Sequence, residues 1–273
     1  FYASPAASTA IGAYTGGPQF VQTAMQDLTP YLSGDNAKNY PNIAAIPTQA
    51  WINSGSVYQG KLWMVPVQRF PMGFGWFKND NLYDTEIGKD YQPKDIDDFK
   101  RVLQALTKPQ QNRWAVGQLG LVTYIAGLYG APNNWGVDSS GKMTKNWETQ
   151  QFKDALAWTR GMYAAGVFHP KTPDYLTTGV NAQRTDYANG SWVIWTDQFS
   201  NGWQDFWRQG LQAKGYNFNM IPPFSAAANI KPQHFFSGGF LGGTALRKAP
   251  EARIRELLGI LNWLAAPFGS QEA

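Results

Sequence analysis

The sequence predicts an α/β fold, and three observations predict it. Amphipathic helical stretches alternate along the chain with short apolar or aromatic runs, the pattern of sheets covered by helices. At 273 residues the chain has room for one large domain or two small lobes. No internal repeat of roughly 20–50 residues is present, which removes solenoids and propellers.

The elements follow in order. Residues 1–17 are rich in Ala, Ser, Thr and Gly and read as a loop or an edge. Helical patterning covers residues 18–32 and 42–53. Strand-like runs at 61–67 and 74–78 are separated by the turn-rich Gln68-Arg69-Phe70-Pro71-Met72-Gly73. Residues 93–106 form the clearest helix of the first half. Pro93 suits its first turn, Asp95, Asp97 and Asp98 complement its dipole, and Ile96, Phe99, Val102, Leu103 and Leu106 share one face. A strand at 114–118, an apolar helix at 119–129 and a turn at 130–141 come next. A second strong helix spans 149–165, with Phe152, Leu156 and Tyr163 inward and Gly166 as its stop. Then come a strand at 191–195, a helix at 204–214 and a strand at 216–221. The last element is a helix at 250–264 with Ile254, Leu257, Leu258, Leu261 and Leu264 inward.

Composition removes several function classes. There is no cysteine, so neither a disulfide scaffold nor a thiolate metal site exists. The two histidines, His169 and His234, stand far apart without a His-x-x-x-His pattern, and no metal is expected. The net charge is +4, but the basic residues are scattered, which argues against nucleic acid as a partner. The longest apolar runs, such as 261–267, fall far short of the roughly 20 residues that span a bilayer. No nucleophile elbow or phosphate loop is present, so no catalytic residue and no cofactor is expected. The Gly-rich stretch 238–243 lacks the Lys-Ser/Thr pair of a nucleotide loop. Aromatic residues, by contrast, reach 15%, and several Trp have polar neighbours, as in Asn133-Asn134-Trp135-Gly136. Indoles in such company lie at solvent, where they can stack on the apolar face of a ligand.

Five segments, in this order, resemble the family 1 extracellular solute-binding proteins of bacterial ABC importers, the lipoprotein-type members above all. They are Asp27-Leu28-Thr29-Pro30-Tyr31-Leu32 and Gly60-Lys61-Leu62-Trp63-Met64-Val65-Pro66-Val67. Next is Gly75-Trp76-Phe77-Lys78-Asn79-Asp80-Asn81-Leu82, and then Gly130-Ala131-Pro132-Asn133-Asn134-Trp135 with Gly166-Val167-Phe168-His169-Pro170. The last runs from Leu261 through Trp263 and Pro267 to Glu272. The resemblance implies a two-lobed periplasmic-binding-protein fold (type II) with a hinge. Residues 1–108 and 236–273 would form an incomplete first lobe, truncated at both ends, and 109–235 the second. It also implies a non-catalytic monomer that clamps a mono- or oligosaccharide and delivers it to membrane permease subunits. Its place would be the outer face of the cell membrane, through a lipid on an N-terminal Cys, or the periplasm.

A sugar clamp needs aromatic platforms and fixed polar groups. The candidates are Arg69 and Phe70 in the loop after a strand, Trp76, Trp135 in its Gly/Asn-rich turn, Trp195 and Asp197 at a strand end, and Phe236 before a glycine pair. Plain alternatives stand beside them: a surface ion pair for Arg69, core packing for Trp76, and a helix cap for Asp197. Two other functions stay open. A glycoside hydrolase would draw two carboxylates from Asp138, Glu148, Asp186 and Asp197, although no motif selects a pair. A receptor for peptides or other non-sugar solutes is the second.

Overall fold

The computed structural model describes residues 17–54, 56–68, 74–118, 120–178, 180–198, 210–211, 218–235 and 240–266. Its strands are β1 (Val57–Tyr58), β2 (Lys61–Leu62), β3 (Val65–Gln68), β4 (Phe74–Asn79), β5 (Trp114–Val116), β6 (Trp135–Val137), β7 (Met143–Lys145), β8 (Trp192–Gln198), β9 (Phe218–Ile221) and β10 (Phe240–Thr244). The chain divides into two compact units, Phe1–Pro71 with Phe236–Ala273, and Met72–Phe235.

The first unit joins the two ends of the chain. β10 pairs antiparallel with β3, and β1 with β2. The helix Glu251–Leu264 buries Ile254, Leu257, Leu258 and Leu261 against Leu28, Ile43 and Leu246. Asn262 locks this helix to a segment 220 residues earlier. Its Oδ1 accepts from the Asn42 and Ile43 amides at 2.9 and 3.2 Å. The expected helix over 18–32 is two helices, Gly17–Ala24 and Thr29–Leu32. Between them Met25 bridges to Arg247, and the Gln26 amide donates to the Leu246 carbonyl at 2.8 Å. Pro30 then restarts the helix, at a position where its missing N–H costs nothing.

The second unit is built on a four-stranded sheet ordered β5-β8-β4-β9, with β5 parallel to β8 and the other pairings antiparallel. β4 therefore lies inside this sheet, and residues 72–108 belong to the second unit, not to the first lobe where the sequence reading put them. Pairing with strands more than 100 residues later decides this, and local pattern carries no trace of it. Alternation along β4 sends Trp76 and Phe77 to separate cores, both fully buried. Trp76 packs on Phe99 at 4.2 Å and Tyr124 at 4.6 Å between ring centroids. Phe77 joins Tyr175, Tyr187, Trp192 and Trp195.

The helix Ile96–Leu106 buries the five apolar residues expected of it. It starts three residues after Pro93, because the Asp95 carboxylate accepts from the Asp98 amide at 2.8 Å and caps the first turn. Such a cap stabilises by about 1 kcal/mol. The helix Gln150–Ala164 turns a different face inward from the one expected. Ala155, Thr159 and Met162 are buried, while Leu156 and Tyr163 are exposed. Small side chains let it pack closely on the apolar helix Leu121–Leu128. Leu264 is likewise exposed, not inward. No helix among the described residues is long and apolar enough to cross a membrane.

Candidate functional site

The two parallel neighbours β5 and β8 end on the same edge of the sheet. In open α/β sheets the carboxyl ends of parallel strands are where ligands bind. Past Val116 the chain continues through Gly117 and Gln118, alongside Trp195 and Thr196 of β8. Gly117 is obligatory here, since a Cβ would come within 1.5 Å of the Trp192 ring. The Gln118 side chain bridges the strand ends: its Oε1 accepts from the Thr196 amide at 2.7 Å and from the Thr196 hydroxyl at 2.6 Å. Both lone pairs of the amide oxygen are thus used. The amide nitrogen has no partner among the described residues, which leaves two donors on a half-buried side chain.

Tyr124, from the helix Leu121–Leu128, stands on the Trp76 side of the same sheet, and the His234 ring meets it edge-on at 6.2 Å. Burial pushes the Tyr124 hydroxyl up, so it stays a neutral hydrogen-bonding group. Burial pulls the His234 imidazole down, towards its neutral form. The cluster is therefore uncharged and polar-tipped over an aromatic floor.

A second exposed group lies on the antiparallel ribbon β6–β7. Its turn is set by Gly141 at φ +83°, and the Asp138 carboxylate accepts from Ser140 and from the Lys142 amide. Trp135 pairs with Lys145 and Val137 with Met143. Trp135 is 52% exposed, and Trp147 just beyond the ribbon 60%. The Lys145 ammonium sits over both indoles, 4.8 Å from the Trp135 ring and 4.7 Å from Trp147.

A third cluster is buried. His169 Nδ1 accepts from the Lys171 amide at 3.2 Å and stands 3.2 Å from the Tyr175 hydroxyl, which donates to Asp186 at 2.6 Å. Burial holds the His169 imidazole below its ordinary range. Rings of Trp114, Tyr175 and Trp192 surround it. This network ties the His169–Asp186 segment to the sheet, and at its outer end Asp186 pairs with the exposed Lys171 ammonium at 3.3 Å. Among the described residues no three His, Asp or Glu side chains gather to hold a metal ion.

No protein-family model matches the chain, and no curated protein matches it. Solved structures do. The alginate-binding protein AlgQ2 is 14% identical with a TM-score of 0.69, covering 92% of this chain and 53% of its own. An ABC transporter solute-binding protein from Agrobacterium vitis with bound D-mannitol is 13% identical, with a TM-score of 0.61 over 94% of this chain and 58% of that one. An ABC substrate-binding protein from Listeria monocytogenes in complex with cycloalternan is 14% identical, with a TM-score of 0.60 over 91% and 57%. The chain has the fold of these binding proteins. It spans a little over half the length of each.

Within this binding-protein fold the expected site residues separate. Trp76 and Trp195 are corrections: at 0% and 3% exposure both lie inside cores, because inward positions of a sheet with helices on it are filled by packing. Trp195 is enclosed by Tyr187 and Trp192, at 5.5 and 5.3 Å between ring centroids. Trp135 is exposed as expected of a platform. Asp197 pairs with Gly75 in the β8–β4 register, so it lies within the strand, one residue before its end. Arg69, Phe70 and Phe236 lie outside the described residues. Sequence reasoning missed Gln118, Thr196, Lys145 and Trp147. Trp147 carries the same signal as Trp135, an indole between polar residues, and was open to the same inference. Gln118 had none, since its role depends on a strand 78 residues away.

Proposed function

We propose that the chain is the ligand-holding part of an ABC importer's substrate-binding protein, and that it holds a carbohydrate without transforming it. The observation that carries this reading is the Gln118–Thr196 bridge at the strand ends, whose amide nitrogen has no partner among the described residues, on a sheet whose Trp76 packs against the neutral Tyr124. Sugar hydroxyls ask for uncharged donors and acceptors of this kind beside an aromatic surface. The neighbours of like fold bind D-mannitol, cycloalternan and alginate, which supports the same ligand class here. Asp197, Arg69, Phe70 and Phe236 are the further contacts this reading expects, with Trp135 as a platform. Membrane permease subunits are the partners, the chain acts as a monomer, and the outer face of the membrane, through a lipid anchor, is its place.

The hydrolase alternative finds little support. A general acid must hold its proton at neutral pH. Hydrogen bonds from Ser140 and from the Lys142 amide hold Asp138 below its ordinary range instead. Asp186 accepts from Tyr175 and pairs with Lys171, and Glu148 accepts from the Lys145 amide. Each is committed to a structural task.

Calorimetry against sugars, peptides and polyamines tests the reading. A saturable sugar isotherm, weakened about tenfold by Gln118→Ala, is the expected result. Binding of peptides with no response to any sugar would remove the carbohydrate and keep the receptor. Release of reducing ends from an oligosaccharide panel would replace the receptor by an enzyme.

A further inference from the structure

The ribbon β6–β7 leaves one face unpartnered. Its register sets Trp135 beside Lys145 and Val137 beside Met143 on the same side, and all but Lys145 are more than half exposed. The other side is closed: a Cβ on Gly136 would come within 3.2 Å of Pro132, so that side packs on the protein. Trp147 extends the open face, and Lys145 is held between the two indoles.

The state of Lys145 says what this face is for. Its ammonium has one polar contact, a long 3.5 Å bond to Asn134 Oδ1, and no carboxylate within ion-pair distance among the described residues. Nearby acids are occupied elsewhere. Asp138 Oδ1 accepts from Ser140 and Lys142, and Glu148 Oε2 from the Lys145 amide. A half-buried cation without a counter-ion among the described residues, bordered on two sides by exposed indoles, complements an anion that carries apolar surface on both sides of its charge.

We propose that this face binds an acidic oligosaccharide, with Trp135 and Trp147 stacking on pyranose rings and Lys145 pairing with a uronate carboxylate between them. A uronate chain has the matching chemistry: C–H faces for the indoles and one carboxylate at a fixed place on each ring. Lys145 is a point charge in a defined position, which suits a carboxylate on a rigid ring better than mobile lipid headgroups. The proposal rests on the carbohydrate reading above and adds the ligand's charge and length to it.

The test titrates the whole chain with a galacturonic acid tetrasaccharide and with its carboxyl-reduced, neutral counterpart. Vesicles of anionic and zwitterionic phospholipid form a separate arm. The acidic sugar binds about tenfold tighter than the neutral one, a ratio that Lys145→Gln abolishes and Lys145→Arg keeps. Trp147→Ala weakens both sugars by about tenfold while the thermal midpoint stays unchanged. Equal affinity for the two sugars, or indifference of the ratio to Lys145→Gln, overturns the proposal. So does anionic-vesicle binding that Lys145→Gln and Trp147→Ala abolish while sugar binding is untouched. A sugar bound with no dependence on Lys145 or Trp147 sinks the ribbon alone, whereas binding of no sugar sinks the carbohydrate reading as well.

Discussion

Trp192 and Trp135 put one side chain to opposite uses. Trp192 is fully buried, ringed by Tyr175, Tyr187 and Trp195 at centroid distances of 5.3–6.3 Å, and its ring fills the space that Gly117 leaves open. Trp135 stands on a two-stranded ribbon, half exposed, its only ring contact among the described residues the Lys145 ammonium. Burying a large aromatic is among the strongest single contributions to a fold, and exposing one costs solvation that only a partner recovers. The sheet of the second unit therefore spends its indoles on stability, while the ribbon leaves its own at the surface.

The comparison breaks most visibly at Trp192. Trp192→Ala is expected to destabilise the protein by about 3–5 kcal/mol, the range for large-to-small changes in packed cores. Urea unfolding measures it, and a loss below about 1 kcal/mol would mean that the buried cluster is not the core described here. Gly117→Ala attacks the same contact from the other side. Its methyl group must displace the Trp192 ring, an overpacking that costs about 1–3 kcal/mol. The double variant Gly117→Ala, Trp192→Leu should recover part of that loss, because the space reopens. If it recovers nothing, the added methyl group is opposed by something other than the indole.

His169 sharpens the contrast by way of pH. Burial depresses its folded-state pKa, so the unfolded chain binds more protons as pH falls below about 6.5. Its contribution is therefore fully present above that pH and is lost on acidification towards the folded pKa, at no more than about 1.4 kcal/mol per pH unit. His234 is shifted in the same direction and adds to the same window. The lowered carboxylates act later. For Asp98, burial pushes the carboxyl up, but the Lys94 amide and the Tyr91 hydroxyl outweigh it, so its loss begins only below about pH 4. His169→Gln should flatten the stability profile between pH 5 and 6.5, values set by the histidine range. A slope that survives in a variant lacking both histidines would show that other groups titrate there.

The buried half of this comparison was only partly legible in the sequence. Helix faces with a strong periodic stripe were readable, as in Ile96–Leu106, because apolar spacing reports directly on which side meets the core. The face of Gln150–Ala164 was not, because Ala155 and Thr159 carry no hydrophobic signal although they are what permits close packing. Trp76 and Trp195 misled for a related reason. An indole on a strand is compatible with either a core or a ligand, and the choice is made by helices that arrive from elsewhere in the chain. The exposed half was more legible. Trp135 sits among Asn and Gly, residues that supply turns and no apolar cover, so its neighbours in sequence are close to its neighbours in space. Lys145 escaped notice because its meaning depends on the β6–β7 register and on the carboxylates that do not reach it.

Trp135→Ala is where the smallest change in stability and an appreciable change in binding are expected together. Trp135 is 52% exposed and belongs to no apolar cluster among the described residues, so its removal should alter unfolding free energy by no more than about 0.5 kcal/mol. It removes a cation–π contact worth about 0.5–1 kcal/mol at an exposed site, but Lys145 keeps Trp147 as a second partner. Binding is another matter, since an aromatic platform covered by ligand typically contributes about 1–3 kcal/mol on truncation. Acrylamide quenching separates the two readouts. The variant should lose part of the readily quenched tryptophan emission, and ligand should protect less of what remains. A Trp135→Ala protein that unfolds as readily as Trp192→Ala would place Trp135 in a core. An unaltered isotherm with unaltered protection would leave the ribbon indoles exposed without a use.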